Sequence, residues 1–320
     1  MNIKYTGFAI AIAWPETFCK QPGSWYDSIS KILGISKNHY YKVGHAALVL
    51  IDSKKMSCHY FDFGRYHTPF QYARVRSEST DDGLKINEIP EIPEISSNAE
   101  NIENFLDILK ELQSNYECHG EGKLYASYCQ INFQKAFAKA TEMQNESLIP
   151  YGPFKYKGSN CSRFVNSVIV AGKPNWKILC KLKYFVSLTP TPRDNVNSLS
   201  NKIILPKILQ NKPFYPLKIS NKKILKSTLP EPVRHINISE NAQWISGEGA
   251  GSWFSISLEK EHYKICRRNN FGALECEGKF EKIGKSIFNT DSAFKFIYLS
   301  HCKKVKIQQN NTIIEFVRIG

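Results

Sequence analysis

The sequence predicts an α+β domain followed by a small all-β domain, and three observations support this. Two β-rich apolar runs, Val43–Ile51 and Cys58–Phe63, flank a polar turn and predict an antiparallel hairpin. Apolar residues at helical spacing follow in the middle of the chain. From Trp253 onward, short stretches alternate apolar and polar residues, which is typical of half-buried strands. A length of 320 residues accommodates two such domains.

The first predicted element is a buried strand over residues 1–14. Its apolar core, Gly7–Trp14, also carries an Ala-x-Ala pattern, which raises the alternative of a secretory signal. One lysine and a short apolar core fit a signal poorly, and small and large residues alternate as in a strand. A turn at Gln21–Gly23 and a short helix from Trp25 to Leu33 are expected next.

Three helices are predicted by the apolar periodicity, and the third has the clearest ends. Ser159 or Asn160 can cap its first turn, and Gly172 followed by Pro174 ends it. The predicted helices begin near Asn98, span Leu124–Asn145, and span Cys161–Ala171.

The domain prediction follows from a change in composition after residue 200. Residues 201–234 contain eight Lys or Arg, one acid and five prolines, which is typical of a linker or an extended segment. Six short alternating strands follow and predict a small barrel or meander. We therefore expect a first, α+β domain over 1–200, a basic Pro/Lys-rich linker over 201–240 and a β domain over 241–320.

Composition excludes several classes of protein. Hydrophobic residues make up 42% and charged residues 22%, so wholesale disorder is excluded. No apolar run approaches the roughly 20 residues of a membrane-spanning helix. The net charge of +14 comes from dispersed lysines without an aromatic RNA-binding motif, so no specific nucleic-acid partner is expected.

The cysteines and histidines do not predict a metal or cofactor. Nine cysteines occur without any Cys-x-x-Cys, and the histidine spacing matches no zinc motif. Mostly reduced cysteines predict a cytoplasmic protein, with a secreted or periplasmic protein as the less favoured alternative. Gly247–Gly251 lacks the Gly-Lys-Ser/Thr of a phosphate loop and is interpreted as a flexible entry to the β domain.

One pair of residues is a candidate for nucleophilic catalysis. Cys161 begins a predicted helix, where free amides and the helix dipole favour a thiolate, although most cysteines are small buried hydrophobes. His45 is a lone imidazole in an apolar strand, where a satisfied core histidine is the ordinary role. If Ser53 and Lys54 are the central turn residues, His45 lies directly opposite Asp62, which could orient it. His59 is the alternative histidine.

These segments resemble a known superfamily. Gly158–Val165 resembles the nucleophile segment of NlpC/P60 and related papain-like proteins, and Gly44–Val49 resembles their histidine strand. The histidine precedes the cysteine, as in the circularly permuted branch with the YiiX/YaeF-like and lecithin:retinol acyltransferase-like proteins. Trp14–Thr17 and Phe61–Tyr66 also resemble segments of a bacterial family found mostly in Bacteroidota.

The resemblance covers roughly residues 1–195 and implies a permuted papain-like fold. It implies Cys161 as nucleophile, His45 as general base and Asp62 as the orienting residue of a cysteine peptidase, amidase or acyltransferase acting on an amide or ester. A peptide or peptidoglycan-type fragment is the first substrate expected. The candidate substrate-binding residues are Trp14, Glu16, Arg65, Tyr66 and Tyr151.

A non-catalytic role is the alternative interpretation. The papain-like scaffold, the basic linker and the β domain could together bind an anionic polymer or a protein partner. Arg74 and Arg76, which follow the hairpin, could bind a substrate anion or form ion pairs within the protein.

Overall fold

The structure is a computed structural model that describes residues 5–20, 36–37, 40–93, 101–186, 189–208 and 226–320. Among the described residues up to 208, the structure has strands and five helices. The helices are α1 (Phe105–Ser114), α2 (Phe133–Glu146), α3 (Cys161–Ala171), α4 (Trp176–Tyr184) and α5 (Pro192–Ser198). The strands are β1 (Gly7–Trp14), β2 (Cys19–Lys20), β3 (Ser36–Lys37), β4 (Tyr40–Tyr41), β5 (His45–Asp52), β6 (Ser57–Gly64), β7 (Tyr72–Ser77), β8 (Leu124–Ile131), β9 (Ile149–Pro150) and β10 (Ser200–Leu205).

A seven-stranded antiparallel sheet forms the centre of this part, with strand order β10-β8-β1-β5-β6-β7-β9. Helices α2, α3 and α5 cover one face of the sheet, and α1 covers the other. Strands β1 and β5 are therefore buried on both faces, which explains why their sequences are almost continuously apolar. A small second sheet has the order β2-β4-β3.

The helix predicted over Leu124–Asn145 is wrong in its first third. Residues Leu124–Ile131 form β8, which pairs with β1 on one side and β10 on the other. The helix begins only at Phe133, where the Asn132 side chain accepts a hydrogen bond from the Lys135 amide at 3.0 Å. Pairing on both sides outweighs the helical spacing of the apolar residues here. The helix predicted over Trp25–Leu33 lies outside the described residues.

The hairpin between β5 and β6 forms, but the predicted register is wrong by two positions. Asp62 pairs with Ala47 rather than with His45. The turn is longer than the two residues predicted, because the Asp52 carboxylate accepts from the Lys54 and Lys55 amides. His45 and Asp62 are diagonal neighbours on one face of the sheet, so their side chains still come together.

The C-terminal part forms a second seven-stranded antiparallel sheet with the order β11-β12-β13-β14-β17-β16-β15. The Gln243 side chain bonds the backbone of Phe294 and Phe296 and so joins the two edges of the sheet. A disulfide links Cys276 and Cys302. The strands are β11 (Gln243–Ile245), β12 (Ser252–Glu259), β13 (His262–Arg268), β14 (Leu274–Ile283), β15 (Lys295–His301), β16 (Lys304–Gln309) and β17 (Thr312–Arg318).

The segment Gly247–Gly251 docks on the first part of the chain instead of forming a flexible entry. The Gly249 amide donates to the Arg65 carbonyl at 2.8 Å, and Ala250 forms a parallel bridge with Tyr66. Glu248 is buried, with only 2% of its surface exposed. The two sheets therefore meet next to the end of β6.

Candidate active site

Cys161 is the first residue of α3, as the sequence predicts. The Asn160 side chain caps the helix by accepting from the Arg163 amide at 2.8 Å. The cysteine is buried with 8% of its surface exposed, and its thiol accepts a hydrogen bond from the Ala46 amide. The helix start and this amide both favour a negative charge on sulfur.

His45 is the first residue of β5 and lies beside this thiol. Its Nε2 is 3.4 Å from Asp62 Oδ2, and its ring also hydrogen-bonds Cys161. The Trp14 indole stacks on the imidazole with ring centres 6.0 Å apart, and the Tyr66 ring meets it edge-on at 6.4 Å. The imidazole therefore lies between a carboxylate and a thiol, and the Trp14 and Tyr66 rings pack against it.

The electrostatics of the pair favour the charged forms of both groups. Burial opposes the charge of His45, but the hydrogen bonds to Asp62 and Cys161 outweigh it and raise the pKa of His45 to about 9. Burial likewise opposes the Cys161 thiolate, but the hydrogen bond and charge of His45 hold the pKa of Cys161 below its ordinary value. The arrangement can therefore hold an imidazolium–thiolate pair near neutral pH.

Asp62 remains a carboxylate although it is completely buried. Arg76 binds it through two nitrogens, with Nε 2.9 Å from Oδ1 and Nη2 2.5 Å from Oδ2. Burial would raise the pKa of Asp62, but the Arg76 and His45 charges hold it well below the usual range. The Tyr60 hydroxyl donates to Oδ2 at 3.3 Å.

Arg74 and Arg76 both form buried ion pairs. Of the two roles that the sequence allows for them, substrate-anion binding or ion pairs within the protein, the structure shows the second. Besides Asp62, Arg76 contacts the Glu117 carbonyl at 2.9 Å and covers the Tyr66 ring at 3.9 Å. Arg74 binds both oxygens of Asp81 at 2.7 and 2.8 Å.

The candidate substrate-binding residues differ in how they are placed. Arg65 is buried between Glu248 at 2.6 Å and the Tyr151 ring at 4.4 Å, so it joins the β domain to the site. Trp14 and Tyr66 are buried beside His45. Glu16 and Tyr151 remain partly accessible. His59, the alternative histidine, contacts Glu78 at 2.9 Å instead of Asp62.

Two further residues, His119 and Cys19, lie near the site although no sequence motif marks them. His119 stacks on Tyr66 at 4.8 Å, and burial beside Arg76 lowers its pKa to about 3. The Cys19 thiol bonds the Gly44 carbonyl at 3.7 Å, and burial together with the Cys161 charge raises its pKa to about 12. No sequence signal identifies them, because both belong to segments without a motif.

Within the described ranges, no group of three or more His, Cys, Asp or Glu side chains could hold a metal ion. No helix in the part that the structure describes is long and apolar enough to cross a membrane.

Comparison with known proteins places the chain in a family. Residues 9–178 match the model of the family described as Type VI secretion system effector TseH-like, and the chain belongs to this family. Residues 242–319 match the DUF6695 C-terminal domain. The crystal structure of the Type VI secretion system effector TseH is similar at 18% identity and a TM-score of 0.37, covering 60% of this chain and 87% of that chain. No curated protein matches.

Proposed function

We propose that this protein is a cysteine hydrolase of the amidase or peptidase type. The observation that carries the proposal is the imidazole of His45, which lies between the Asp62 carboxylate and the Cys161 thiol. A cysteine, a histidine and a buried carboxylate form the set that acyl-transfer chemistry by a thiolate requires. All three residues lie within the range that matches the effector family.

In the proposed mechanism, Asp62 holds Nε2 of His45 and leaves Nδ1 for Cys161. His45 carries the thiol proton, and the thiolate attacks the carbonyl carbon of an amide. The Cys161 backbone amide, at the start of α3, is the candidate donor to the developing oxyanion. His45 then protonates the leaving amine as the C–N bond breaks and a thioester forms.

The second half of the reaction resolves the thioester. His45 takes a proton from water, the hydroxide oxygen attacks the thioester carbonyl, and the C–S bond breaks. The products are a carboxylic acid and the regenerated thiol with its histidine. An amine or alcohol in place of water would make the same site an acyltransferase, so the two activities share every step up to the thioester.

The fold proposed for this site is the circularly permuted papain-like arrangement. The chain order supports it, because the histidine strand β5 and the carboxylate strand β6 precede the nucleophile helix α3. A peptide or peptidoglycan-type amide is the proposed substrate class, in line with the NlpC/P60 resemblance.

Family membership also supports a proposal about location. A type VI effector acts outside the cytoplasm of the producing cell, so we propose export in place of the cytoplasmic location expected from the cysteines. The Cys276–Cys302 disulfide favours an oxidising compartment. Comparing culture supernatants of strains with and without a working secretion apparatus tests this: equal amounts in both would contradict export.

Digestion of purified peptidoglycan, followed by mass spectrometry of the released fragments, tests the catalytic proposal. We expect new fragments cleaved at an amide bond with the wild type and none with Cys161→Ser. Cys19→Ser is the matched control, because it removes a neighbouring half-buried thiol and leaves His45 and Asp62 in place. Alkylation of Cys161 by iodoacetamide, measured in parallel, tests the reactivity of the thiol without any substrate. Labelling no faster than that of the other free thiols would overturn the mechanism.

A further inference from the structure

The surface formed by α4 and the loop before α3 exposes an unusual set of aromatic side chains. Among the described residues, the five aromatic side chains that expose more than half of their surface all lie here, at 51 to 86%. Single exposed apolar residues are ordinary, but a cluster of large aromatic rings marks an interaction site. These residues, the aromatic set, are Phe154, Tyr156, Trp176, Tyr184 and Phe185.

The same stretch of chain is strongly and uniformly basic. Residues 147–193 contain eight Lys or Arg and no Asp or Glu. Lys157 and Lys177 lie over the rings of Tyr156 and Trp176, at 5.7 and 5.9 Å. The lysines exposed on this surface, the basic set, are Lys157, Lys173, Lys177, Lys181 and Lys183.

Contacts within the fold bring the end of α4, with Tyr184 and Phe185, next to the loop before α3, whereas Trp176 lies at the opposite end of α4. Helix α4 runs back along α3, since the Asn166 side chain donates to the Leu182 carbonyl at 3.1 Å. The loop before α3 is fastened to its first turn, where Arg163 donates to the Pro153 carbonyl at 2.5 Å. The end of α4 and this loop therefore both flank the end of the helix that carries Cys161.

We propose that this surface docks the protein on an anionic phospholipid bilayer. Aromatic side chains with exposed rings insert at the level of the lipid headgroups, and lysines around them pair with the anionic headgroups. The absence of carboxylates over 47 residues fits a negatively charged partner. The exposed rings favour a bilayer over a hydrated polyanion, because a polyanion offers them no apolar phase. The proposal does not depend on the catalytic one.

Sedimentation of the full chain with vesicles tests the proposal. We expect binding to vesicles of phosphatidylcholine mixed with phosphatidylglycerol, and little binding to phosphatidylcholine alone. The double variant Lys181→Gln/Lys183→Gln should weaken binding by about tenfold or more, because each lysine near an anionic surface contributes about fivefold. Lys279→Gln/Lys285→Gln removes the same charge from exposed positions of the β domain and should have a much smaller effect.

A second pair of variants separates insertion from charge attraction. Tyr184→Ser/Phe185→Ser should also weaken vesicle binding about tenfold, whereas Ile287→Ser, at an equally exposed position of the β domain, should not. Retention on heparin measures attraction to a polyanion alone, and the serine variants should leave it unchanged. The bilayer proposal is overturned if anionic vesicles do not bind the chain at low salt. It is equally overturned if loss of the aromatic rings leaves vesicle binding intact, which would indicate an anionic polymer instead.

Discussion

Two completely buried aspartates, Asp62 and Asp81, show how similar residues serve different purposes in this protein. Each accepts two hydrogen bonds from an arginine of β7, Asp62 from Arg76 and Asp81 from Arg74. In both, burial would raise the pKa, and the neighbouring guanidinium charges hold it well below the usual range. Asp62 with Arg76 and His45 is called the Asp62 centre. Asp81 with Arg74, Arg267 and His67 is called the Asp81 centre.

The two histidines mark the difference between the centres. His45 faces a carboxylate and a thiol, which raise its pKa to about 9. His67 lies 3.4 Å from Arg74 and 2.7 Å from the Ser252 hydroxyl, and burial near Arg267 and Arg74 holds its pKa well below the usual range. A charged imidazole can transfer protons, whereas a neutral one among arginines serves as a structural hydrogen-bonding group.

The other partners of the two aspartates explain why the two histidines differ in pKa. Asp81 also accepts from Arg267 of the β domain at 2.7 Å, so its charge is shared between two arginines of different sheets. Asp62 has one arginine, and its Oδ2, which also accepts from Arg76 and Tyr60, lies 3.4 Å from His45 Nε2. The Asp81 centre links the two sheets, whereas the Asp62 centre holds the His45 imidazole beside the Cys161 thiol.

Removal of the proposed nucleophile, Cys161, should have the largest effect. Cys161→Ala is expected to lower turnover by at least about a thousandfold, because no other group forms the thioester. Peptidoglycan digestion followed by mass spectrometry measures this. Cys19→Ala should retain activity, and equal losses in both variants would contradict the assignment of Cys161.

The second largest effect should come from removal of His45, and removal of His67 should show that the two centres act separately. At neutral pH, His45→Ala should slow iodoacetamide alkylation of Cys161 by about tenfold or more, because the thiol then loses the charge that lowers its pKa. Turnover by the wild type should fall above about pH 9, where His45 loses its proton. His67→Ala should change neither the rate of Cys161 alkylation nor the pH dependence of turnover. A similar change in both variants would show that general loosening of the fold, rather than proton transfer, controls the thiol.

Neutralising either aspartate should lower the free energy of unfolding by a similar amount. Only neutralising Asp62 should change the reactivity of the Cys161 thiol. Asp62→Asn and Asp81→Asn should each lower the free energy of unfolding by about 3–5 kcal/mol, because each leaves an arginine charge buried without its partner. Both pKa values are lowered in the folded state, so these contributions are complete above about pH 4 and disappear as the pH falls.

Urea unfolding and Cys161 alkylation measure the two consequences. Asp62→Asn should slow alkylation at a pH and urea concentration where both variants are folded, and Asp81→Asn should not. Slow alkylation in folded Asp81→Asn would mean that the two centres are not functionally separate.

The smallest expected effect concerns Glu117, which links the two centres. Its carbonyl accepts from Arg76, and its carboxylate lies 3.8 Å from Arg267. Burial, offset in part by Arg267, raises the pKa of Glu117 to about 7. A raised carboxyl pKa stabilises the fold at low pH, and this contribution is lost as the pH rises through about 7.

Glu117→Gln should therefore raise the free energy of unfolding by about 2 kcal/mol at pH 8 and change it little near pH 4. Thermal unfolding at the two pH values measures the difference. Glu261→Gln, at an exposed position, is the matched control. If Glu117→Gln raised the free energy of unfolding equally at both pH values, the titration of Glu117 would not be the cause of the gain.

Much of the candidate site could be predicted because it rests on local signals. The apolar run of β1, the hairpin of β5 and β6, and the capped start of α3 are all set by nearby residues. The turn length could not be predicted, because the Asp52 carboxylate stabilises a longer turn than the dipeptide pattern indicates. The register therefore differs by two, yet His45 and Asp62 stay on one face because side chains alternate with a period of two.

The sequence by itself determined the α+β organisation, the β-rich C-terminal part, and the helix start that carries Cys161. Only the tertiary structure decided that Leu124–Ile131 is a strand, because its partners β1 and β10 come from distant parts of the chain. Likewise, only the fold shows that Arg76 binds Asp62, whereas Arg74 and Arg267 share Asp81. The physical reason is the same in each case. Periodicity and capping act between neighbours in sequence, whereas buried charges are paired by whichever distant groups the fold brings within hydrogen-bonding distance.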